Sequence, residues 1–143
     1  MTVKQLSVFA QNKPGRISAL TKLLAENGVN IRAISVADTK DFGILRLIVS
    51  DIDKAKAALK DNAVVQSSKV LAVIAEDTPG GLASIMEALY AANVSVEYMY
   101  SAFLNPSENN ACLILRVDNN DNAVSALKEA GFRLLSQEDM AKI

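Results

Sequence analysis

The residues best suited to chemistry are two copies of a short motif in which a Pro-Gly pair follows a predicted strand and opens a predicted helix. The first copy runs from Asn12 to Ile17 (NKPGRI), and the second runs from Asp77 to Leu82 (DTPGGL), 65 residues further along the chain. Free N–H groups and the positive dipole end at a helix start attract an anion. Glycine lets a ligand approach the backbone closely, because it has no Cβ atom. Each motif is therefore a candidate carboxylate site.

Charged side chains around the first motif suggest the rest of the ligand. Lys13 and Arg16 add positive charge, and Asp38 or Asp41, in a predicted hairpin loop at the same end of the sheet, offers an acceptor for an ammonium group. A carboxylate beside an amine is what an α-amino acid presents. The alternative is that Pro-Gly only turns the chain and that the charges are solvated. Recurrence of the motif in both copies weakens this alternative without removing it.

The motif belongs to a longer internal repeat. The offset of 65 residues also relates Leu6 to Leu71, and after residue 42 an offset of 68 relates Leu45 to Leu113, so one loop of the second copy is longer. Two copies are too few for a solenoid, and each copy is therefore predicted to be one small domain, 1–68 and 69–143. Domains of this size are marginally stable alone, so we expect the two copies to pack side by side.

Each copy has the same predicted order of strand, helix, strand, strand, helix and strand. In the first copy, strands are predicted at 3–10, 29–37, 42–49 and around Val64-Val65, with helices that begin at Pro14, capped by Asn12, and at Asp51. In the second copy, strands are predicted at 69–75, 94–103, 111–117 and 132–135, with helices at 79–92 and 122–130. This order predicts an α+β fold of two tandem ferredoxin-like βαββαβ domains, joined around Ser67-Ser68.

Composition narrows the function classes. The net charge of −1 argues against a nucleic-acid partner, and no apolar stretch reaches the length of a membrane span. One cysteine and a start without signal-peptide features predict a cytoplasmic protein. Histidine is absent, which removes the commonest general base and the commonest zinc ligand, so neither a metal nor a cofactor is expected.

Catalysis and RNA binding are both disfavoured by particular residues. No histidine is present to activate Cys112, which lies in a predicted central strand as a buried, inert thiol. The acidic pairs Asp51/Asp53 and Glu138/Asp139 are typical of helix starts or exposed positions. An RNA-binding sheet needs stacking aromatic residues, and the central strands offer only Phe9 and Phe42, both in the first copy. We therefore predict that the protein is not an enzyme.

The sequence resembles the ACT domain family of amino-acid-sensing modules, as two tandem copies that cover the whole chain. The resemblance rests on the βαββαβ order, on the [Asn/Asp]-x-Pro-Gly-x-[Leu/Ile] motif, and on the segment Asn27 to Ile31 (NGVNI), which enters the second strand. The chain is similar to small stand-alone double-ACT proteins of bacteria and archaea. The resemblance implies a non-catalytic sensor that binds a free amino acid and regulates amino-acid metabolism.

The resemblance also implies where the ligand binds. ACT effectors bind between paired modules, where the first loop of one module faces the second strand of its neighbour. The hairpin from Ala37 to Gly43 (ADTKDFG), which has no counterpart in the second copy, makes the first copy the expected principal site. The implied ligand-binding residues are Asn12, Lys13, Pro14, Gly15, Arg16, Ile17, Asp38, Thr39, Phe42, Gly43, Ser95 and Glu97. The second-site candidates are Asp77, Thr78, Pro79, Gly80, Gly81 and Leu82, with Asn30, Ile31 and Arg32.

An aromatic cluster in the second copy supports a different function, a regulatory subunit that docks on a partner enzyme without a ligand of its own. Its members are Tyr90, Tyr98, Met99, Tyr100 and Phe103. Alternation along a strand places Tyr98 and Tyr100 on one face, with Met99 opposite. Tyrosine is common at interfaces, although tyrosines at the edge of a core give the same pattern. Unpaired sheet edges also predict that two chains associate as a homodimer.

Overall fold

The computed structural model describes residues 1–11, 13–38, 42–103 and 109–142. The chain divides into two compact units, a first unit of Lys4–Ser68 and a second unit of Lys69–Ile143 together with Met1–Val3. The domain limits 1–68 and 69–143 stay a prediction.

The first unit has the predicted order of elements. They are β1 (Val3–Gln11), α1 (Arg16–Glu26), β2 (Ile31–Asp38), β3 (Phe42–Val49), α2 (Ile52–Leu59) and the start of β4 (Val64–Glu76). The strand order is β2-β3-β1-β4, and β3 pairs antiparallel with both β2 and β1. The hairpin and the β1–α1 loop therefore lie at the same end of this sheet, where Gln11 pairs with Phe42.

The second unit repeats the order and adds a helix. It contains the remainder of β4, then α3 (Gly81–Ala91), β5 (Val96–Ser101), β6 (Asn110–Val117), α4 (Asn120–Glu129), β7 (Leu134–Leu135) and α5 (Gln137–Lys142). The strand order is β7-β4-β6-β5, with antiparallel pairing throughout. The α+β class and the two βαββαβ repeats predicted from the sequence are confirmed.

Each unit buries one apolar face of its sheet under two helices. Alternate residues of β1 and β3 face the buried residues of α1 and α2, as period-two strands and 3.6-residue helices require. In the first unit this core contains Leu6, Val8, Ala10, Leu20, Leu24, Leu45, Leu47, Val49, Ala55 and Leu59. In the second unit the equivalent core contains Leu71, Val73, Ala75, Ile85, Leu89, Leu115, Val117, Ala123 and Leu127.

Strand β4 differs from the prediction. The sequence suggested a short strand near Val64-Val65 and a separate strand from residue 69, with a junction at Ser67-Ser68, but one 13-residue strand spans both. The segment contains no glycine or proline and is rich in β-branched residues, so nothing in it interrupts an extended backbone. The hydroxyl of Ser68 accepts a hydrogen bond from Gln5 Nε2 at 3.5 Å.

Helix ends follow local signals in the sequence. The N–H of Gly28 donates to Ala25 O at 3.0 Å and the N–H of Val29 donates to Leu24 O at 2.9 Å, which ends α1 at the predicted Asn-Gly pair. Glu138 and Asp139 were interpreted as a helix start or exposed residues, but helix α5 itself was not assigned. Ser136 and Asp139 form its capping box, in which each side chain accepts the other's N–H, at 2.9 and 3.1 Å. The hydrogen bond from the Ser136 backbone lowers the pKa of Asp139.

Candidate functional site

Both Pro-Gly motifs form the same turn, immediately before a helix. In the first unit the N–H of Arg16 donates to Lys13 O at 3.1 Å, and Gly15 has φ 82° and ψ −4°. These values match a type II turn, with proline at its second position and glycine, which tolerates positive φ, at its third. Helix α1 therefore begins at Arg16, and the prediction that Pro14 lies in its first turn is wrong because Pro14 belongs to the preceding turn.

The turn leaves donors at the start of α1. Its N-terminal cap is Gly15, with no side-chain hydrogen bond, rather than the predicted Asn12, which lies outside the described residues. The N–H groups of Arg16 and Ala19 donate to Lys13 O and Gly15 O. Among the described residues, nothing accepts a hydrogen bond from the N–H groups of Ile17 and Ser18. Two backbone donors are thus available where the helix dipole is positive.

A cavity of about 400 Å³ opens beside these donors, entirely within the first unit. This volume is in the range of small-molecule sites. The cavity lies between the start of α1 and the ends of the hairpin strands β2 and β3. Its lining comprises Ala10, Gln11, Lys13, Pro14, Gly15, Arg16, Ile17, Ser18, Val36, Ala37, Asp38, Gly43 and Leu45. Most of the principal-site residues predicted from the first motif and the hairpin therefore meet at one cavity.

Some of the predicted principal-site residues lie elsewhere. Phe42 is 53% exposed and does not line the cavity, and Thr39 lies outside the described residues. Ser95 and Glu97 belong to the second unit, where the Ser95 N–H donates to Asp118 Oδ1 at 3.1 Å. The Glu97 carboxylate lies 3.3 Å from Nε of Arg116. The assignment of Ser95 and Glu97 to a ligand site stays a prediction.

Arg16 has a partner inside the protein. Its Nη2 donates to the main-chain oxygen of Asn62, 46 residues away in the loop after α2, and its buried Nε has no partner among the described residues. The guanidinium therefore ties the start of α1 to that loop, whereas the sequence suggested a charge available to the ligand. No local signal predicts this contact, because it joins distant segments. The role of Arg16 in ligand binding stays a prediction.

The second motif has a second glycine, Gly81, at the position of Arg16 in the first motif. The Gly81 N–H donates to Thr78 O at 3.0 Å, and Gly80 has φ 89°, so the turn is the same. At Gly81, where the first repeat has Arg16, a Cβ atom would lie 2.0 Å from Glu76 O. At Gly15 a Cβ atom would meet nothing within 4 Å, so Gly15 is required for its positive φ rather than for close contact inside the protein.

The other second-site candidates do not converge on one cavity. Gly81 lines a cavity of about 500 Å³ in the second unit, together with Ile74, Glu76, Ser84, Asn110, Ala130, Gly131, Phe132 and Arg133. Asp77, Thr78, Pro79, Gly80 and Leu82 are not among its lining residues. Asn30, Ile31 and Arg32 lie in the first unit at the start of β2, where the Asn30 N–H donates to Ser50 Oγ at 2.9 Å. Their binding role stays a prediction.

Cys112 is buried, as predicted. Burial raises the pKa of its thiol to about 11, so the thiol is neutral and unreactive at physiological pH. Within the described ranges, no group of three or more His, Cys, Asp or Glu residues is arranged to hold a metal ion. In the same ranges no helix is both long enough and apolar enough to cross a membrane.

The aromatic cluster is largely at the surface of the second unit. The rings of Tyr98 and Tyr100 stack with centroids 6.4 Å apart, which confirms that they share a face. Tyr90 is 87% exposed and Phe103 is 60% exposed. The cluster therefore presents apolar area to solvent.

The chain belongs to the ACT domain family, because the family described as an ACT domain pair matches residues 1–143. A protein from Bacteroides thetaiotaomicron, known from its crystal structure, is 43% identical, with a TM-score of 0.92 over 100% of this chain and 98% of that chain. The resemblance to ACT domains seen in the sequence is thereby confirmed. No protein with curated annotation matches the chain.

Two more distant structures share the fold. The ligand-free regulatory subunit of aspartate kinase from Thermus thermophilus is 16% identical, with a TM-score of 0.64 over 90% of this chain and 92% of that chain. The aspartate kinase of Clostridium acetobutylicum, described as an allosteric enzyme, is 15% identical, with a TM-score of 0.54 over 90% of this chain and 33% of that chain.

Proposed function

We propose that this ACT-domain protein is a non-catalytic, cytoplasmic sensor that binds a free amino acid in the cavity of the first unit. We further propose that ligand binding regulates an enzyme of amino-acid metabolism. The observation that carries the proposal is that the start of α1, which has no side-chain cap among the described residues, and the acidic residue Asp38 line one cavity. An α-amino acid presents the complementary pair of charges.

The ligand carboxylate would accept hydrogen bonds from the N–H groups of Ile17 and Ser18, where the dipole of α1 favours a negative charge. Lys13 lines the same cavity and adds positive charge. Asp38 would receive the ammonium group from the hairpin side. Hydrogen bonds to charged groups contribute about 1.5–3 kcal/mol each, enough for two or three of them to hold a small zwitterion.

The side chain of the ligand would lie against the apolar part of the wall, formed by Ile17, Val36 and Leu45. Ile17 is 41% exposed and Val36 is 52% exposed, so a ligand there would cover apolar surface that is now open to solvent. An aliphatic amino acid suits this wall better than an acidic one. Among the described residues the only cations that line the cavity are Lys13 and Arg16, and the Arg16 guanidinium already donates to Asn62 O.

Regulation is supported by the named functions of two proteins that share the fold, a regulatory subunit of aspartate kinase and an allosteric aspartate kinase. We propose the same kind of role here, with the enzyme on a separate chain. The exposed residues Tyr90 and Phe103 favour a second candidate, a docking subunit that binds its enzyme without a ligand.

A thermal-shift screen of the twenty amino acids separates these two functions. A ligand at about 100 times its Kd adds roughly 2.7 kcal/mol to the stability of the folded protein, which is readily detected. We expect one or a few aliphatic amino acids to raise the Tm. Absence of a shift with all twenty would favour the docking subunit.

A matched pair of variants tests the site itself. Asp38→Asn removes the negative charge that would attract the ammonium group, and it should weaken binding by about tenfold or more, because a hydrogen bond to a charged group becomes a neutral one. Asp61→Asn removes an exposed carboxylate of the same unit that does not line the cavity, and binding should be unchanged. Equal affinities for the two variants would contradict the proposed site.

A further inference from the structure

The two repeats differ in what fills the groove between the start of the first helix of each unit and the loop after its second helix. In the first unit the side chain of Arg16 runs from the start of α1 to the loop after α2 and donates a hydrogen bond to Asn62 O. The offsets of the repeat place Gly81 and Ala130 at the corresponding positions of the second unit. Both of these residues line the cavity of about 500 Å³. The second unit therefore has an open cavity where the first unit has its own guanidinium group.

The second unit cannot close this cavity from the same position. Any side chain at residue 81 would place its Cβ atom 2.0 Å from Glu76 O, well inside the distance at which atoms collide. Glycine is thus imposed on the start of α3 by the backbone of β4. A side chain at the start of α3 therefore cannot fill this cavity as Arg16 fills the corresponding space of the first unit. Any group that fills it must come from elsewhere.

Among the other lining positions that differ between the repeats, three suit a ligand with a guanidinium group and a carboxylate. Glu76 stands where the first repeat has Gln11 and supplies a carboxylate for a cation. Phe132 stands in place of Val64 and supplies an aromatic ring, on which a guanidinium group stacks well.

The third changed position supplies a second charge. Arg133 stands where the first repeat has Val65, and it lines the same cavity. Arginine binds carboxylates through two parallel hydrogen bonds.

Ala130, the C-terminal cap of α4, brings the negative end of that helix dipole to the cavity, which favours the cationic end of a ligand.

We propose that the cavity of the second unit binds a small molecule with a guanidinium group and a carboxylate, of which free arginine is the simplest example. The guanidinium group takes the place that the Arg16 side chain occupies in the first unit, against Glu76, Phe132 and the end of α4. The carboxylate binds Arg133. This site is separate from the cavity of the first unit, and it does not rest on the function proposed for that cavity.

The test is an NMR titration of the isotope-labelled full chain with L-arginine, methylguanidinium and L-citrulline. Citrulline has nearly the shape of arginine but carries a neutral urea group. Arginine should produce saturable shifts at the amides of Gly81, Ser84 and Gly131. Methylguanidinium should shift the same amides with an affinity at least tenfold weaker, and citrulline should leave them unchanged at ten times the arginine concentration.

Variants assign the two ends of the ligand. Glu76→Gln and Arg133→Val restore the residue types of the first repeat, and each should weaken arginine binding by about tenfold or more. Arg133→Val should not weaken methylguanidinium binding, because that probe has no carboxylate and the substitution removes a like charge from the cavity. Lys142→Gln, which removes an exposed cation that does not line the cavity, should change neither affinity.

Three results would overturn the proposal. They are the absence of saturable shifts with arginine, equal shifts with citrulline, and arginine shifts confined to the amides of Lys13 to Ser18. The last result would place arginine in the first-unit cavity and would support the amino-acid sensor while refuting the second site. The proposed function of the first unit would be refuted by a different result. In that case no amino acid would shift the amides of Lys13 to Ser18, independently of the shifts at Gly81.

Discussion

At the scale of single residues, Cys112 links burial to a measurable pH dependence. Its thiol lies in β6 among core residues, and loss of hydration raises its pKa from 9.0 to about 11. A neutral thiol is compatible with an apolar environment, whereas a thiolate there would lack compensating partners. The residue packs as a small hydrophobic group, which agrees with the prediction of an inert cysteine.

We expect the free energy of unfolding to fall as the pH rises from about 9 to 11. Below pH 9 the thiol is protonated in both the folded and the unfolded state, so its burial contributes fully to the free energy of unfolding. Above pH 9 the unfolded chain loses this proton first, and stability decreases by at most about 1.4 kcal/mol per pH unit. Urea denaturation at pH 8, 9 and 10 measures the free energy of unfolding. Cys112→Ala is the control, because it lacks this thiol and keeps all the other titratable groups. Parallel curves for the two proteins would contradict the assignment.

At the scale of elements, the turn before each first helix depends on a glycine with positive φ. In L-residues other than glycine this conformation costs roughly 1–2 kcal/mol. Gly43, at the start of β3, provides a matched comparison. It does not have positive φ, and its Cβ atom would lie at an ordinary contact distance of 3.8 Å from Ala10 O.

Gly15→Ala should therefore lower the free energy of unfolding by about 1 kcal/mol, while Gly43→Ala should change it by less than about 0.5 kcal/mol. Both variants can be compared by urea denaturation at neutral pH. If the two substitutions cost the same, the conformational role of Gly15 in the turn is refuted.

At the scale of the whole molecule, the end strands of the sheets lead to a prediction about assembly. Among the described residues, β2 pairs only with β3, and β5 pairs only with β6, which leaves backbone donors and acceptors along one side of each. Met99 on β5 is 43% exposed, and no proline blocks that strand. Strands of this kind pair readily with another chain.

We expect a homodimer, with a mass of about twice the 15.3 kDa chain by light scattering at high protein concentration. Met99→Lys should shift the population toward monomer, because a charged side chain on an end strand opposes edge pairing. A single 15.3 kDa species for the unmodified protein would show that the end strands stay unpaired.

Local signals in the sequence determined most of the elements. The Asn27-Gly28 helix end and the Asp51 helix start each depend on contacts within a few residues, so composition and spacing suffice to predict them. The apolar periods predicted which faces are buried, and the repeat predicted the two βαββαβ units. The first loop and the hairpin were predicted to share an end of the sheet, because strand direction follows from the order of elements.

Tertiary structure decided the features that depend on distant segments or on exact backbone positions. The repeat suggested a junction within β4, but this strand is continuous because it pairs with strands far from it along the chain, and local composition only permits this. The contact of Arg16 with Asn62 joins residues 46 positions apart, and no local pattern encodes it. Residue 81 must be glycine because Glu76 O, at the end of a strand, lies so close to the start of α3 that it would collide with a Cβ atom. Sequence spacing determines which residues share an element, but only the packed backbone determines whether the space between them is filled or open.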